Sequence, residues 1–402
     1  MKIIINTSTL KQDKFDSSPE FINNLVDEIA IQNKENEYIY FYPMKETLPS
    51  TTKLGNITYQ PYKYWFTKKG QLIGKIGILQ SLRINKFNYI KVAFLLLSQL
   101  INLFIAVHRH KPDYIYSHWV FPQAFITSII SKLTNTKYVF TSHGSDVTML
   151  NKFKPLGKII MKFVITNAER FTVVSSKNTE KISNLVSTQE YQNKLKVIPM
   201  GIDDLFFKEK IIVNTHSEKI NLIYFGRLTE YKGVDLLIRA FDKSLHEYPN
   251  IFLNIIGQGN QHSILKKLIE DFDLQKNVNL LPFMNKQQLI EYIDKSSAVI
   301  VPSIETKYEF EAGPLSVIEA MARKKICIIS DSVGFMSYLN NESAIIFPSG
   351  SEEALYSSIL KYMKMDDLEK SKILKASEQI VEYFKFRNIS KEHYDFLFKN
   401  SY

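Results

Sequence analysis

A chain of 402 residues exceeds what one hydrophobic core usually organises, so two domains of ordinary size are expected. Its 45% hydrophobic and 23% charged residues are ordinary for a soluble globular protein, and its net charge is +10. The single cysteine, Cys327, excludes an internal disulfide and fits cytosolic redox conditions and a cytoplasmic location.

In chain order, the opening MKIIINTSTL is too short an apolar run for a signal peptide and reads as a first strand, Lys2–Asn6. A helix is predicted over Glu20–Asn33 and a strand over Tyr38–Tyr42. From Thr47 to Pro112 there is no Asp or Glu, while ten Lys and Arg fall between Lys53 and Lys111. Tyr59, Tyr62, Tyr64, Trp65, Phe66, Phe87 and Tyr89 interleave with them. Such a stretch (53–111) fits an anionic membrane surface or a merely solubilising face. No nucleic-acid motif accompanies the charge, so nucleic acid is not expected as a partner. The run Val92–Val107 is shorter than the roughly 18–20 apolar residues of a membrane span and is expected to be a buried helix on a sheet.

Further strands are predicted at Asp113–Ser117, Lys137–Thr141, Phe171–Val174 and Lys196–Pro199, with helices at Ala124–Thr134 and Lys177–Leu185. Just beyond two of these strands lie His118 and the group Ser142-His143-Gly144-Ser145-Asp146. His118 reads as a half-buried histidine satisfied by backbone, and Asp146 as a helix cap; His143 depends on what faces it. The second half repeats the alternation. Strands are predicted at Asn221–Phe225, Phe252–Ile256, Val278–Leu281, Ala298–Val301, Ile326–Ser330 and Ala344–Phe347. Their helices are Val234–Leu245, Gln261–Phe272, Asn285–Lys295 and Glu353–Met363. Cys327 lies in one of these strands and reads as a core thiol. Alternating strands and helices with short loops imply an α/β protein with two doubly wound, Rossmann-like domains facing across a cleft.

Two loops of the second half carry chemistry. After Asn221–Phe225 come Gly226 and Arg227, then Lys232 and Gly233 directly before a helix. Two cations and a helix N-terminus at the carboxyl end of a strand suit a diphosphate, although an ordinary βα loop with surface cations has the same look. After Ala298–Val301, the stretch Ser303–Ala322 holds Glu311 in a loop and Glu319 about one turn into a helix. In isolation the pair reads as surface carboxylates; both also lie where open α/β sheets bind ligands.

The segments TSHGSDV, RFTVVSS, VIPMGID, FGRLTEYKG, IIGQG and EAGPLSVIEAMA resemble the blocks of family 4 retaining glycosyltransferases (glycosyl transferases group 1), which have the GT-B fold. The resemblance is continuous from about His118 to Pro348 and implies transfer of a sugar from a UDP- or GDP-linked donor to a saccharide or lipid-linked saccharide acceptor. The basic, aromatic stretch favours an acceptor at the membrane face, such as a lipid-linked saccharide in cell-surface polysaccharide assembly. The resemblance also implies Gly226, Arg227, Lys232 and the N–H groups of Leu315 and Ser316 at the donor diphosphate. Glu311, Ala312 and Gly313 would meet the donor sugar and Glu319 the ribose. His143 would reach towards the sugar and the reacting centre, with His143 and Glu311 the catalytic pair.

No metal and no other cofactor are expected, since the cations would stabilise the leaving diphosphate; Asp203-Asp204 reads as a turn. Two departures stand out. The family's glycine-rich first turn is here Ser8–Pro19 without glycine, and Pro314 replaces the commoner glycine, removing one N–H. The implied domains are 1–200 (acceptor side), a 201–218 linker, 219–380 (nucleotide-sugar binding) and a terminal helix, 381–402, returning to the first domain. The other classes open to these residues are a nucleotide-sugar epimerase or hydrolase and a non-catalytic nucleotide-sugar-binding protein.

Overall fold

The computed structural model describes residues 1–8, 10, 20–44, 51–66, 85–208, 219–306 and 309–399. The turn over Ser8–Pro19, apart from Ser8 and Leu10, lies outside them, as do Lys68, Lys69, Lys75, Arg83 and most of the 201–218 linker. The chain forms two compact units, Met1–Pro199 with Phe386–Tyr402, and Met200–Lys385.

In the first unit the strands are β1 (Lys2–Asn6), β2 (Glu37–Pro43), β3 (Thr52–Leu54), β4 (Ile57–Tyr62), β5 (Tyr114–His118), β6 (Lys137–Ser142), β7 (Arg170–Val173) and β8 (Leu195–Val197). They make one sheet in the order β3-β4-β2-β1-β5-β6-β7-β8. Every neighbouring pair is parallel except the β3–β4 hairpin. Ile4 of β1 stands opposite Ile39 and Ile115, so the centre of the sheet is apolar on both flanks. β1 and β2 are buried almost throughout, because a parallel sheet is covered by helices on both faces. The hairpin escapes the sequence reading because β3 is a fully exposed edge of three residues with no apolar alternation. The helix Phe386–Phe398 belongs to this unit: Asn36 Nδ2 donates to Tyr394 Oη at 2.7 Å and Gln32 Nε2 to Ser390 Oγ at 3.0 Å.

The run Val92–Val107 corrects one expectation. It lies within a longer helix, Asn88–His110, of which only one face is buried, through Leu95, Gln99, Leu103, Ala106 and Val107. The opposite face, with Ile90, Phe94, Leu97, Ile101 and Phe104, is exposed.

The second unit holds β9 (Ile220–Phe225), β10 (Ile251–Ile256), β11 (Val278–Leu281), β12 (Ala298–Val301), β13 (Ile326–Ser330) and β14 (Ile345–Phe347), all parallel, in the order β11-β10-β9-β12-β13-β14. Alternate residues enter opposite layers. Leu222, Tyr224, Ala298 and Ile300 pack in one core, while Ile223, Phe225, Val299 and Val301 pack in another. Cys327 is buried in the second of these layers, and burial pushes its thiol far up, so it is a packing group. Residues Met200–Phe207 join this unit: Ile202 N–H donates to Phe384 O at 3.0 Å. Arg323 pairs with Asp294 and donates to Phe206 O, tying the same stretch down.

Candidate functional site

The strand order of the second unit reverses between β9 and β12, the kind of switch point beyond whose strand carboxyl ends open α/β sheets bind ligands. The loop after β9 runs through Gly226 and Arg227 into a 3-10 turn, Glu230–Lys232, then into the helix Val234–Glu247. Gly233 caps that helix at φ +63°, and a Cβ there would lie 2.1 Å from Pro302 O. Glycine is what lets this loop and the loop after β12 touch. Ile304 N–H completes the junction by donating to Tyr231 O at 2.8 Å. The loop after β12 is anchored from below, since Ser303 O accepts from Ser330 Oγ and, at 2.7 Å, from Ser332 Oγ.

At this junction Lys232 and Glu311 meet. Lys232 Nζ donates to Glu311 Oε2, with side-chain exposures of 13% and 9%. Arg227 is exposed; its Nη2 donates to Tyr231 Oη at 2.9 Å, and its carbonyl accepts from Tyr224 Oη at 2.8 Å. The two tyrosines therefore aim the cation-bearing loop. Glu311 is held by its own backbone, its carbonyl accepting from Gly334 N at 2.8 Å. Ala312 and Gly313 follow, the latter packed against the Phe335 ring.

Pro314 is the N-cap of the helix Leu315–Ala322, and its carbonyl accepts from Val317 N at 3.0 Å. Leu315 and Ser316 occupy the first turn, where backbone N–H groups point out of the helix end. Proline at the cap supplies no such group itself. Glu319 sits just over one turn on, and burial pushes its carboxyl up to about 7, with Lys286 opposing and Asp203 adding to the rise. Lys286 and Asp203 are themselves paired at 2.6 Å. Asp203 caps the short 3-10 turn Asp204–Phe207 by accepting from Leu205 N. The charges acting on Glu319 are thus different from those around Glu311.

In the first unit, the reversal falls between β1 and β5, and the residues beyond β5 and β6 form a histidine cluster. His118 Nδ1 lies 3.2 Å from His143 Nε2. His143 also packs against Phe21 and Trp119, with ring centroids 5.0 Å away in each case. Burial lowers His143 to about 3 and holds His118 well below its ordinary value, so both rings are neutral near pH 7. His143 Nδ1 is buried without a partner among the described residues. His118 is fully buried and its ring partner is His143 rather than backbone, which corrects the expectation for it. Asp146 is not the expected helix cap: Gly144 is the N-cap of the helix Ser145–Lys152, and Asp146 lies inside its first turn. It accepts from Val120 N at 2.7 Å, Ser142 Oγ at 2.9 Å and Gly144 N at 3.0 Å, locking the two loops around the histidines.

The structure therefore brings Lys232 to Glu311 and Arg227 to the same loop, with Leu315 and Ser316 at the adjoining helix start. It gives Glu319 a separate charged neighbourhood. Sequence reasoning missed Tyr231, Lys286 and His393, the last fully buried and 3.4 Å from Thr172 Oγ1 through its Nδ1. Tyr231 could have been found from its place beside Lys232. His393 stands 250 positions from His143 and leaves no local signal.

Two family models match consecutive stretches: the "Glycosyltransferase Family 4" model over residues 75–204, and the "Glycosyl transferases group 1" model over residues 206–379. Among similar proteins, an uncharacterized glycosyltransferase of Methanocaldococcus jannaschii is 24% identical over 70% of this chain and 74% of its own length. An amylovoran biosynthesis glycosyltransferase of Erwinia amylovora is 27% identical over 57% of this chain and 56% of its own. The chain thus matches between just over half and three quarters of these curated relatives' lengths. Among solved structures, sucrose-phosphate synthase of Thermosynechococcus elongatus superposes with a TM-score of 0.74 at 15% identity, covering 97% of this chain and 96% of that one. HepE of Anabaena, crystallised with UDP, gives a TM-score of 0.70 at 16% identity, covering 98% of both.

Two parallel-sheet units with these neighbours define a protein of the GT-B fold. The two family matches lie end to end and together take in most of the chain. The chain belongs to the group 1, family 4 glycosyltransferases.

Proposed function

We propose that this protein is a retaining glycosyltransferase that moves a hexosyl unit from a UDP- or GDP-linked donor to a saccharide or lipid-linked saccharide acceptor. The observation that carries the reading is the contact of Lys232 with Glu311 at the β9–β12 junction, beside Arg227 and a helix start. Arg227, Lys232 and the N–H groups of Leu315 and Ser316 bind the diphosphate. Glu311 and the backbone of Ala312 and Gly313 hold the sugar's hydroxyls, and Glu319 accepts from the ribose. His143, neutral and hydrogen-bonding, is assigned to the transferred sugar on the family resemblance.

In the reaction the bond from the anomeric carbon to the diphosphate oxygen breaks, and that oxygen keeps the electron pair. The acceptor hydroxyl oxygen forms the new bond on the same face, and its proton passes to the departing phosphate oxygen. The cations stabilise the growing negative charge, so no metal or other cofactor is assigned. A cytoplasmic setting and cell-surface polysaccharide assembly are the proposed context. Curated relatives named for amylovoran, teichuronic acid and colanic acid biosynthesis support the latter.

The test is a thermal-shift screen of nucleotide sugars, followed by turnover of the stabilising donor with saccharide and lipid-linked saccharide acceptors. NMR of the product reads the anomeric configuration. Donor binding with hydrolysis or epimerisation as the sole outcome overturns transfer; an inverted product overturns retention.

A further inference from the structure

The helix Asn88–His110 is 23 residues long and apolar enough to cross a bilayer, yet one of its faces is built into the first unit. Gln99 Nε2 on that face donates to the buried Asn6 Oδ1 at 2.9 Å, and Leu95, Leu103, Ala106 and Val107 enter the core. Spanning a membrane would tear these groups out, so the helix does not span. Its other face still demands a partner: Phe94, Leu97 (55% exposed), Ile101 (50% exposed) and Phe104 follow one another at helical spacing along it.

The helix Phe125–Thr134 packs both against this one and against the helix Lys154–Asn167. That third helix and its lead-in expose Phe153, Leu156 and Ile159 among Lys152, Lys154, Lys158 and Lys162. Trp65 adds an aromatic edge, packed against Phe94 at 5.5 Å with Lys91 over its ring at 5.4 Å. Between residues 85 and 168 there are ten Lys and Arg and two carboxylates, Asp113 and Asp146, the latter buried.

We infer that this helical layer of the first unit docks on an anionic bilayer, with the exposed face of Asn88–His110 lying in the interface and the lysines among the headgroups. Charge selects this occupant. Apolar residues between clusters of cations match the acyl boundary beneath anionic headgroups. A second copy would set cations against cations, and nucleic acid has no use for a stripe of Phe, Leu and Ile. The inference concerns the first unit alone and stands whether or not the sugar-transfer reading holds.

The full chain should co-sediment with vesicles of phosphatidylcholine containing phosphatidylglycerol about tenfold more strongly than with phosphatidylcholine alone, and added salt should weaken this. The double variant Leu97→Ser/Ile101→Ser, at exposed positions, should bind about tenfold less while keeping the wild-type melting temperature. Lys154→Ala/Lys158→Ala should lose the preference for anionic vesicles. Trp65 provides a second readout: in a Trp119→Phe chain, where it is the one tryptophan, its emission should shift to the blue on anionic vesicles. No vesicle binding, or binding that neither variant changes, overturns the inference. So does a dimer in light scattering that Leu97→Ser/Ile101→Ser dissolves without any vesicle binding, which would make the face an interface between copies.

Discussion

Lys232 and Glu311, 79 positions apart, form a nearly dry ion pair between the loops that leave β9 and β12. The cation proposed for the diphosphate is therefore neutralised by the carboxylate proposed for the sugar. A donor that draws Lys232 onto its phosphate leaves Glu311 free to turn to the sugar's hydroxyls. Each residue thus keeps the other from being a buried, unpaired charge until the donor arrives.

Removing either partner should separate these roles. Lys232→Ala deletes a charge-assisted contact worth about 1.5–3 kcal/mol, so the Kd for the nucleoside diphosphate should rise about ten- to a hundredfold by calorimetry. Glu311→Gln removes the carboxylate that competes for Lys232, so it should bind the nucleoside diphosphate at least as tightly as the wild type while lowering turnover of the full donor. The double variant should bind the nucleoside diphosphate about as weakly as Lys232→Ala, since without Lys232 the carboxylate has no cation to hold back. Equal diphosphate affinity in Lys232→Ala would remove the phosphate assignment.

Glu319 should make nucleotide binding depend on pH. Burial raises its carboxyl to about 7, so between its unfolded value and 7 the folded state carries an extra proton. Stability from this group is fully present below the unfolded pKa and is lost as pH rises through about 7. A protonated carboxyl is the poorer acceptor for two ribose hydroxyls, so nucleotide affinity should rise from pH 6 to 8. Glu319→Gln should flatten that rise and remove its share of the pH-dependent stability. Parallel pH profiles for wild type and variant, in calorimetry with UDP and GDP, would contradict the ribose assignment.

Both sheets are legible in the sequence because their strands are buried on two faces, as in Ala298–Val301 and Ile326–Ser330, and so appear as unbroken apolar runs. The β3–β4 hairpin is not, since β3 is an exposed edge that needs no such pattern and β4 is only half-buried between its ends and carries Pro61. The helix Asn88–His110 misleads for the opposite reason: composition alone cannot say that half its apolar surface faces outward. Around the candidate site, the spacing of Glu311 and Glu319 and the pairing of Arg227 with Lys232 are local and readable. The turn of Lys232 onto Glu311, the pairing of Lys286 with Asp203 beside Glu319, and the meeting of His118 with His143 arise from strand order, which no local window carries.

The histidine cluster should be silent in the pH–rate profile and loud in acid stability. Burial lowers His143 to about 3 and His393 to about 4, and holds His118 well down. His143 and His393 are therefore neutral from about pH 5 to 8, and burial favours the neutral ring of His118 as well, so turnover should show no inflection from His143 in that window. Their stabilising contribution is present above the unfolded histidine pKa, near 6.5, and is lost as pH falls through the folded values. Melting of the wild type should drop between pH 6.5 and 4, and His393→Phe should drop less. His118→Phe keeps the ring but not the bond to His143; it should lower turnover with donor affinity intact. An inflection near pH 6.5 that vanishes in His143→Ala would show that this ring does titrate.

Gly233 should be the most sensitive backbone position of the junction. Its φ of +63° disfavours any residue with a side chain, and a Cβ would lie 2.1 Å from Pro302 O, a backbone atom that cannot swing aside. Gly233→Ala should cost about 1–3 kcal/mol of stability from the conformation alone, with the clash added. Because the displaced atoms belong to the loop carrying Glu311, the Lys232–Glu311 contact should open as well, and nucleoside diphosphate affinity should fall along with the melting temperature. Gly350→Ala is the control: it too sits at positive φ, +76°, but has nothing within 4 Å of the added carbon. That variant should lose stability alone. If Gly233→Ala behaves the same way, with binding intact, the approach of the two loops is not what shapes the donor site.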